Sequence, residues 1–146
     1  MKKAFTLIEL LVVISIIGIL IALSVFGLQG ARAGARDARR KTDLEEIRSG
    51  IEIYKADCGV YPPGLSGGQP LIGSLASCSP QGSTYITLVP QDPTPTQKGY
   101  AYTRPTTTTY ILCSALEQGT AGDVTGCGSC NGSGGSASCT YKVTNP

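Results

Sequence analysis

The sequence predicts an α+β fold: one long N-terminal helix, apolar in its first half, packs its second half on a small antiparallel β-sheet with disulfide-stapled loops. Three observations carry this reading. Residues 5–28 contain a single charged side chain, Glu9. Leu44, Ile47, Ile51 and Tyr54 recur at 3-4-3 spacing, which places them on one stripe of an α-helix. All six cysteines, Cys58, Cys78, Cys113, Cys127, Cys130 and Cys139, lie beyond residue 57, among short segments rich in Tyr, Thr and Ile.

Once the apolar segment is set aside, the remainder of the 146 residues suffices for one compact head. The formal net charge of +2 gives no ground for a strongly charged partner, and nucleic acid is not expected. The chain has no His, which removes the commonest general base and every Ser-His or Cys-His nucleophile. No catalytic residue is identified, and the chain is not expected to be an enzyme.

The first element follows from length and hydropathy. Residues 10–28 are uncharged, and at about 1.5 Å per residue they cross roughly the hydrocarbon thickness of a bilayer. Lys2 and Lys3 place the N-terminus in the cytoplasm and the C-terminus outside. A secretory signal peptide cut near Ala31-Arg32-Ala33 is the plainer alternative, but its apolar core of about 7–15 residues is shorter than this run. Export then favours disulfides over free thiols for the even set of cysteines.

Beyond the apolar run no Pro interrupts residues 31–55, so the helix is expected to continue as an amphipathic one, its stripe forming the seam against the sheet. Asp37 and Lys41, at i and i+4, are expected to pair along it. Gly27, Gly30 and Gly34 mark the place for bending, unwinding or close helix approach. The helix should end near Cys58-Gly59, with Pro62-Pro63 preventing its resumption. In the head, Leu71, Ile72 and Leu75 suggest a helical turn and residues 85–89 a short strand or helix. Residues 90–93 suggest a turn, and residues 100–103, 108–116 and 140–144 suggest strands around a Gly/Ser-rich loop at 119–138.

Glu9 is the costly feature of the first element. A carboxylate in an apolar helix costs a few kcal/mol unless it is paired. A cut between Ala4 and Phe5 would create an α-amine about one turn away, and a neighbouring chain displaced by about a turn would present that amine to this carboxylate. The acid then sets the register of an assembly.

The run Lys3-Ala4-Phe5-Thr6-Leu7-Ile8-Glu9-Leu10-Leu11-Val12-Val13-Ile14 resembles the class III signal of type IV pilins and type II secretion pseudopilins. Residues 37–44, 51–54 and 59–62, the turn Leu88-Val89-Pro90-Gln91-Asp92-Pro93 and the strand Tyr100-Ala101-Tyr102 are similar to the major type II secretion pseudopilin. The resemblance implies a pilin fold, cleavage after Ala4 by a prepilin peptidase, N-methylation of Phe5, and Glu9 as the assembly carboxylate. It implies a leader at 1–4, an assembly helix at 5–28, its amphipathic continuation at 29–57 and a head at 58–146. Ala4 stands where the family usually has Gly, and Phe26 near where many pilins have Pro. The Cys-rich tail from Gly119 lies outside the pattern.

The implied partners are further copies in a helical homopolymer, the prepilin peptidase, the inner-membrane assembly machinery and, before assembly, the lipid bilayer. The implied location is the cytoplasmic membrane, then an extracellular or periplasmic filament. A different class of function is a membrane-anchored extracytoplasmic binding protein that never polymerises.

Two metal readings compete with structural ones. Cys127-Gly128-Ser129-Cys130 with Cys113 and Cys139 has the spacing of a four-thiolate zinc site, against which an oxidising compartment favours disulfides, Cys58 with Cys78 among them. The family resemblance also implies a calcium site in the C-terminal loop, with Asp123 as candidate ligand and Glu117 nearby. Calcium takes six to eight oxygens, and this segment offers few, so no cofactor is expected and disulfides are an alternative clamp. Arg32, Arg36, Arg39, Arg40 and Lys41 spread around the helix, which favours a solvated or subunit-bridging face.

Overall fold

A computed structural model of the chain describes residues 5–119, 122–132 and 137–145, with Phe26 given by its backbone. The chain divides into two compact units, Met1–Ala35 and Arg36–Pro146. One helix, α1 (Leu7–Cys58), contributes to both. In the first unit α1 is helical through Gly27, Gly30 and Gly34. A Cβ on Gly27 would meet nothing within 4 Å, so no packing inside the chain requires a glycine there.

In the second unit α1 buries the stripe read from the sequence. Leu44, Ile47, Ile51 and Tyr54 are at most 1% exposed. They meet Tyr61, Val89, Tyr110, Leu112 and Val143 in one core cluster. Gly59 stops the helix in the left-handed region, φ 76°, its N–H donating to the Lys55 carbonyl at 2.8 Å.

The strands are β1 (Leu71–Ile72), β2 (Thr84–Ile86), β3 (Ala101–Thr106), β4 (Thr109–Ser114) and β5 (Tyr141–Thr144). They form an antiparallel pair β1-β2 and an antiparallel three-stranded sheet ordered β3-β4-β5. Leu71 and Ile72 are therefore a strand, where the sequence suggests a helical turn, because β2 supplies their ladder partners. β3 extends past the expected end at Thr103 and includes Pro105. An edge strand with irregular register between Thr103 and Thr106 accommodates a residue without an N–H. The strand tyrosines serve the core: Tyr61 meets Tyr110 edge-on at 4.7 Å, and Tyr102 stacks on Tyr110 at 6.4 Å.

The basic cluster of α1 does not form one solvated face. Arg40 is fully buried. Its guanidinium donates to both Asp92 carboxylate oxygens (2.7 and 3.0 Å), to Asp37 (2.7 Å), to Glu117 (2.9 Å) and to the Thr94 hydroxyl (3.1 Å). Asp37 also accepts the backbone N–H groups of Glu117 and Gln118, and Arg36 pairs with Glu117 at 2.5 Å. The expected Asp37–Lys41 pair gives way to Asp37–Arg40, while Lys41 lies 5.7 Å from the Tyr141 ring centre. Arginine suits the position because its planar fork presents five donors, enough to meet three acids and a hydroxyl at once.

This network holds its acids ionised. Burial alone would raise Asp37 and Asp92, but hydrogen bonds from backbone amides, Thr94 and Arg40 bring both below the usual carboxylate range. Glu117 is lowered to about 2, chiefly by its hydrogen bond to Arg36.

Three outcomes follow for full-length protein in detergent. Ile51→Ala should cost about 2–5 kcal/mol in denaturant unfolding, against less than about 0.5 kcal/mol for Ile53→Ala on the exposed side. Arg40→Met, which keeps bulk and leaves buried carboxylates unpaired, should cost about 3–5 kcal/mol; a loss below about 1 kcal/mol would remove the network from its central role. The melting temperature should fall as pH drops. An unfolded Asp or Glu titrates near about 4, above its folded counterpart, so between the two values the unfolded chain binds more protons. Stability is complete above about pH 5 and decays toward about pH 2, where Glu117 takes up its proton. A melting temperature unchanged across that interval contradicts the assignment.

Candidate functional site

In the first unit the described side chains of the apolar run of α1 are exposed. The 18-residue apolar window of α1 is 0% buried, with a mean hydropathy of 2.9. Its two hydroxyls turn inward, Ser15 and Ser24 donating to the Leu11 and Leu20 carbonyls at 2.8 Å each. Every polar side-chain group of this stretch beyond Glu9 is thereby satisfied by the helix itself, as a lipid-facing or helix-facing segment requires.

Glu9 has a local partner that the reading of the sequence missed. Thr6 stands before the first helical residue, and its hydroxyl accepts the Glu9 N–H at 3.3 Å. The Glu9 carboxylate reaches back to accept the Thr6 N–H at 2.9 Å and its hydroxyl at 2.7 Å. This is a capping box, and the pattern Thr-x-x-Glu before an apolar run is its sequence signature. Glu9 therefore completes the start of the helix within one chain, and its second carboxylate oxygen carries no bond in that box. Phe5, Ile8, Val12 and Val13 surround it. Phe5 itself is 89% exposed, and Ala4 lies outside the described residues.

In the head the six cysteines are joined as Cys58–Cys78, Cys113–Cys127 and Cys130–Cys139. The first ties the end of α1 to the segment before β2; the second and third tie the C-terminal loop to β4 and to the approach of β5. The Sγ atoms of Cys113, Cys127 and Cys139 lie within 4.8 Å of one another, so the residues proposed for zinc do converge. Zinc binds thiolates, and these sulfurs are spent in disulfides.

The acids near the expected calcium site are also engaged. Glu117 is held by Arg36 and Arg40. Asp123 accepts the Thr125 N–H at 2.9 Å and the Lys142 ammonium at 2.9 Å. Its carboxyl lies well below the usual range because of Thr125 and then Lys142. A donor set of two acids already bound to three cations does not fit a divalent ion that asks for six or more oxygens. Lys142 has no signal in the sequence, since no local pattern distinguishes it and its partner lies across a loop, whereas Arg40 stands in the basic cluster but is buried instead of solvated.

The prokaryotic N-terminal methylation motif matches residues 1–25, and the model of type II secretion system protein G matches residues 28–129, running past Gly119 into the tail. The chain is 35% identical over 97 residues to the type II secretion system core protein G of Klebsiella pneumoniae, covering 63% of this chain and 69% of that protein. It is 36% identical over 97 residues to the core protein G of Klebsiella michiganensis (63% and 68% covered), and 32% identical over 95 residues to that of Vibrio cholerae (63% and 65%). No solved structure matches. A methylation motif at the head of an uncovered apolar helix, followed by a match over most of the remaining chain, places this protein in the type II secretion system protein G family, the major pseudopilins.

Proposed function

We propose that the chain is a structural subunit that polymerises through its N-terminal helix into a pseudopilus, or a type IV pilus-like filament, and that it catalyses no reaction. The observation that carries this is the uncovered apolar surface of α1 with Glu9 at its start. Side chains such as Leu7, Ile8 and Leu23 are 82%, 70% and 68% exposed, and at about 25 cal/mol per Å² keeping them out of water, in lipid before assembly and in a filament core after it, is strongly favourable. Before assembly the same surface anchors the chain in the cytoplasmic membrane, with its head outside.

In this reading a prepilin peptidase cuts between Ala4 and Phe5, and Phe5 is then N-methylated. The freed amine of one copy, an added cation at the tip of its helix, meets the Glu9 carboxylate of another and fixes the axial register. The capping box supports that role, because it holds the carboxylate at the helix surface with an oxygen to spare. Arg32, Arg39 and Lys41, exposed on α1, remain available to the assembly machinery or to neighbouring heads. The non-polymerising binding protein has no observation in its favour, since it needs neither the methylation motif nor the acid.

Glu9→Gln separates the two duties of Glu9. Glutamine still closes a capping box but carries no charge. Filaments assembled in cells, counted by electron microscopy after shearing, should be lost with Glu9→Gln and Glu9→Ala alike. Normal filaments from Glu9→Gln would reduce Glu9 to a helix cap, normal filaments from Glu9→Ala would remove it from assembly altogether, and a wild-type chain that forms no filaments would favour the anchored binding protein. Mass spectrometry of the mature protein should show N-methylated Phe at the start; a start near Gly34 would leave a secreted head and end the proposal.

A further inference from the structure

The loop that leaves β4 and returns to it through Cys127 is held at two adjacent points. Cys113 and Lys142 are directly opposed in the β4-β5 ladder, so their side chains rise from neighbouring strands on one face of the sheet. Cys113 takes Cys127 in a covalent bond. Lys142 takes residues a few positions earlier: its ammonium donates to the Asp123 carboxylate at 2.9 Å and to the Thr125 carbonyl at 3.4 Å. The Lys142 side chain is only 19% exposed, although its acid partner is 72% exposed. The lysine is therefore drawn inward, its stem covered by the loop, with the charged end among loop oxygens.

A carboxylate oxygen and a main-chain carbonyl converging from residues 123–125 are the kind of donors that hold a hard cation. Here the cation belongs to the chain. The Asp123 carboxylate is further occupied by the Thr125 N–H, which closes a tight local turn, and Gly126 follows with φ 82°, carrying the chain back toward Cys127. Lys142 lies beyond the segment that matches the family model, so the family pattern does not foretell it.

We propose that the Lys142 ammonium, beside the Cys113–Cys127 bond, fills the place of a divalent cation in the C-terminal loop and makes the fold of that loop independent of calcium. The two clamps divide the work. The disulfide fixes the end of the loop to β4, and the ion pair fixes its middle to β5. A calcium ion entering there would meet a positive charge instead of an open coordination position.

The test is amide hydrogen exchange by mass spectrometry on the full chain in detergent micelles, with millimolar calcium or with a chelator. Wild-type exchange over residues 122–127 and the melting temperature should be the same in both. Lys142→Met should speed exchange in that segment about two- to fivefold, the size expected for a largely exposed ion pair, and Lys142→Arg should restore protection. Calcium that slows wild-type exchange there, or raises melting by several degrees, overturns the proposal. So does a Lys142→Met chain whose loop exchanges as the wild type does.

Discussion

Arg40 is where two separate stretches of the head meet α1. Its guanidinium is fully buried and binds Asp92 in the turn before β3, Asp37 one turn earlier on the helix, and Glu117 in the loop after β4. Burying one charge is costly, and burying three, with the more exposed Glu117 at their edge, is tolerable only because each hydrogen-bonding position of the guanidinium finds a partner. The constraint works in both directions. Without Arg40 the acids repel one another in a poorly solvated space, and without any one acid the guanidinium loses donors it cannot satisfy elsewhere. The path of the chain out of β4 is set here, since Asp37 also accepts the Glu117 and Gln118 N–H groups. The C-terminal loop, with its two disulfides and the Lys142 ion pair, starts from that point.

The helix itself solves two different solvation problems. In its second half a stripe of four large side chains is withdrawn from water against tyrosines and aliphatic residues of the sheet, which holds the head together without outside help. In its first half the described apolar side chains are exposed. Its backbone is satisfied internally, its hydroxyls bond back to carbonyls, and its first turn is capped by Thr6 and Glu9. Such a segment is compatible with lipid and with packing among copies of itself, which is what the proposed assembly asks of it.

Much of this was legible because it is local. The apolar run, the 3-4-3 stripe, the end of α1 at Cys58 and the strands around residues 101–114 and 141–144 follow from period, turn chemistry and β-branched content over neighbouring residues. Two misses were also local and could have been avoided. Thr6-Leu7-Ile8-Glu9 is a capping-box pattern. Arg40 extends the stripe of Leu44, Ile47, Ile51 and Tyr54 backward by four residues, so helical geometry alone puts it on the buried face. A charge on that face asks for a buried partner, and reading all five cations as one spread cluster hid the question.

By itself, then, the sequence determined which part of the chain is lipid-compatible, which helix face enters the core and that the cysteines belong to the head, because each depends on composition or spacing along the chain. Only the tertiary structure decided that Asp92 and Glu117 are the acids that neutralise Arg40. It also decided which cysteines are bonded, and that Lys142 closes the loop over Asp123. Those pairings join residues between 9 and 77 positions apart, across loops whose course no local period encodes, so they exist only once the sheet and helix have brought the partners within reach.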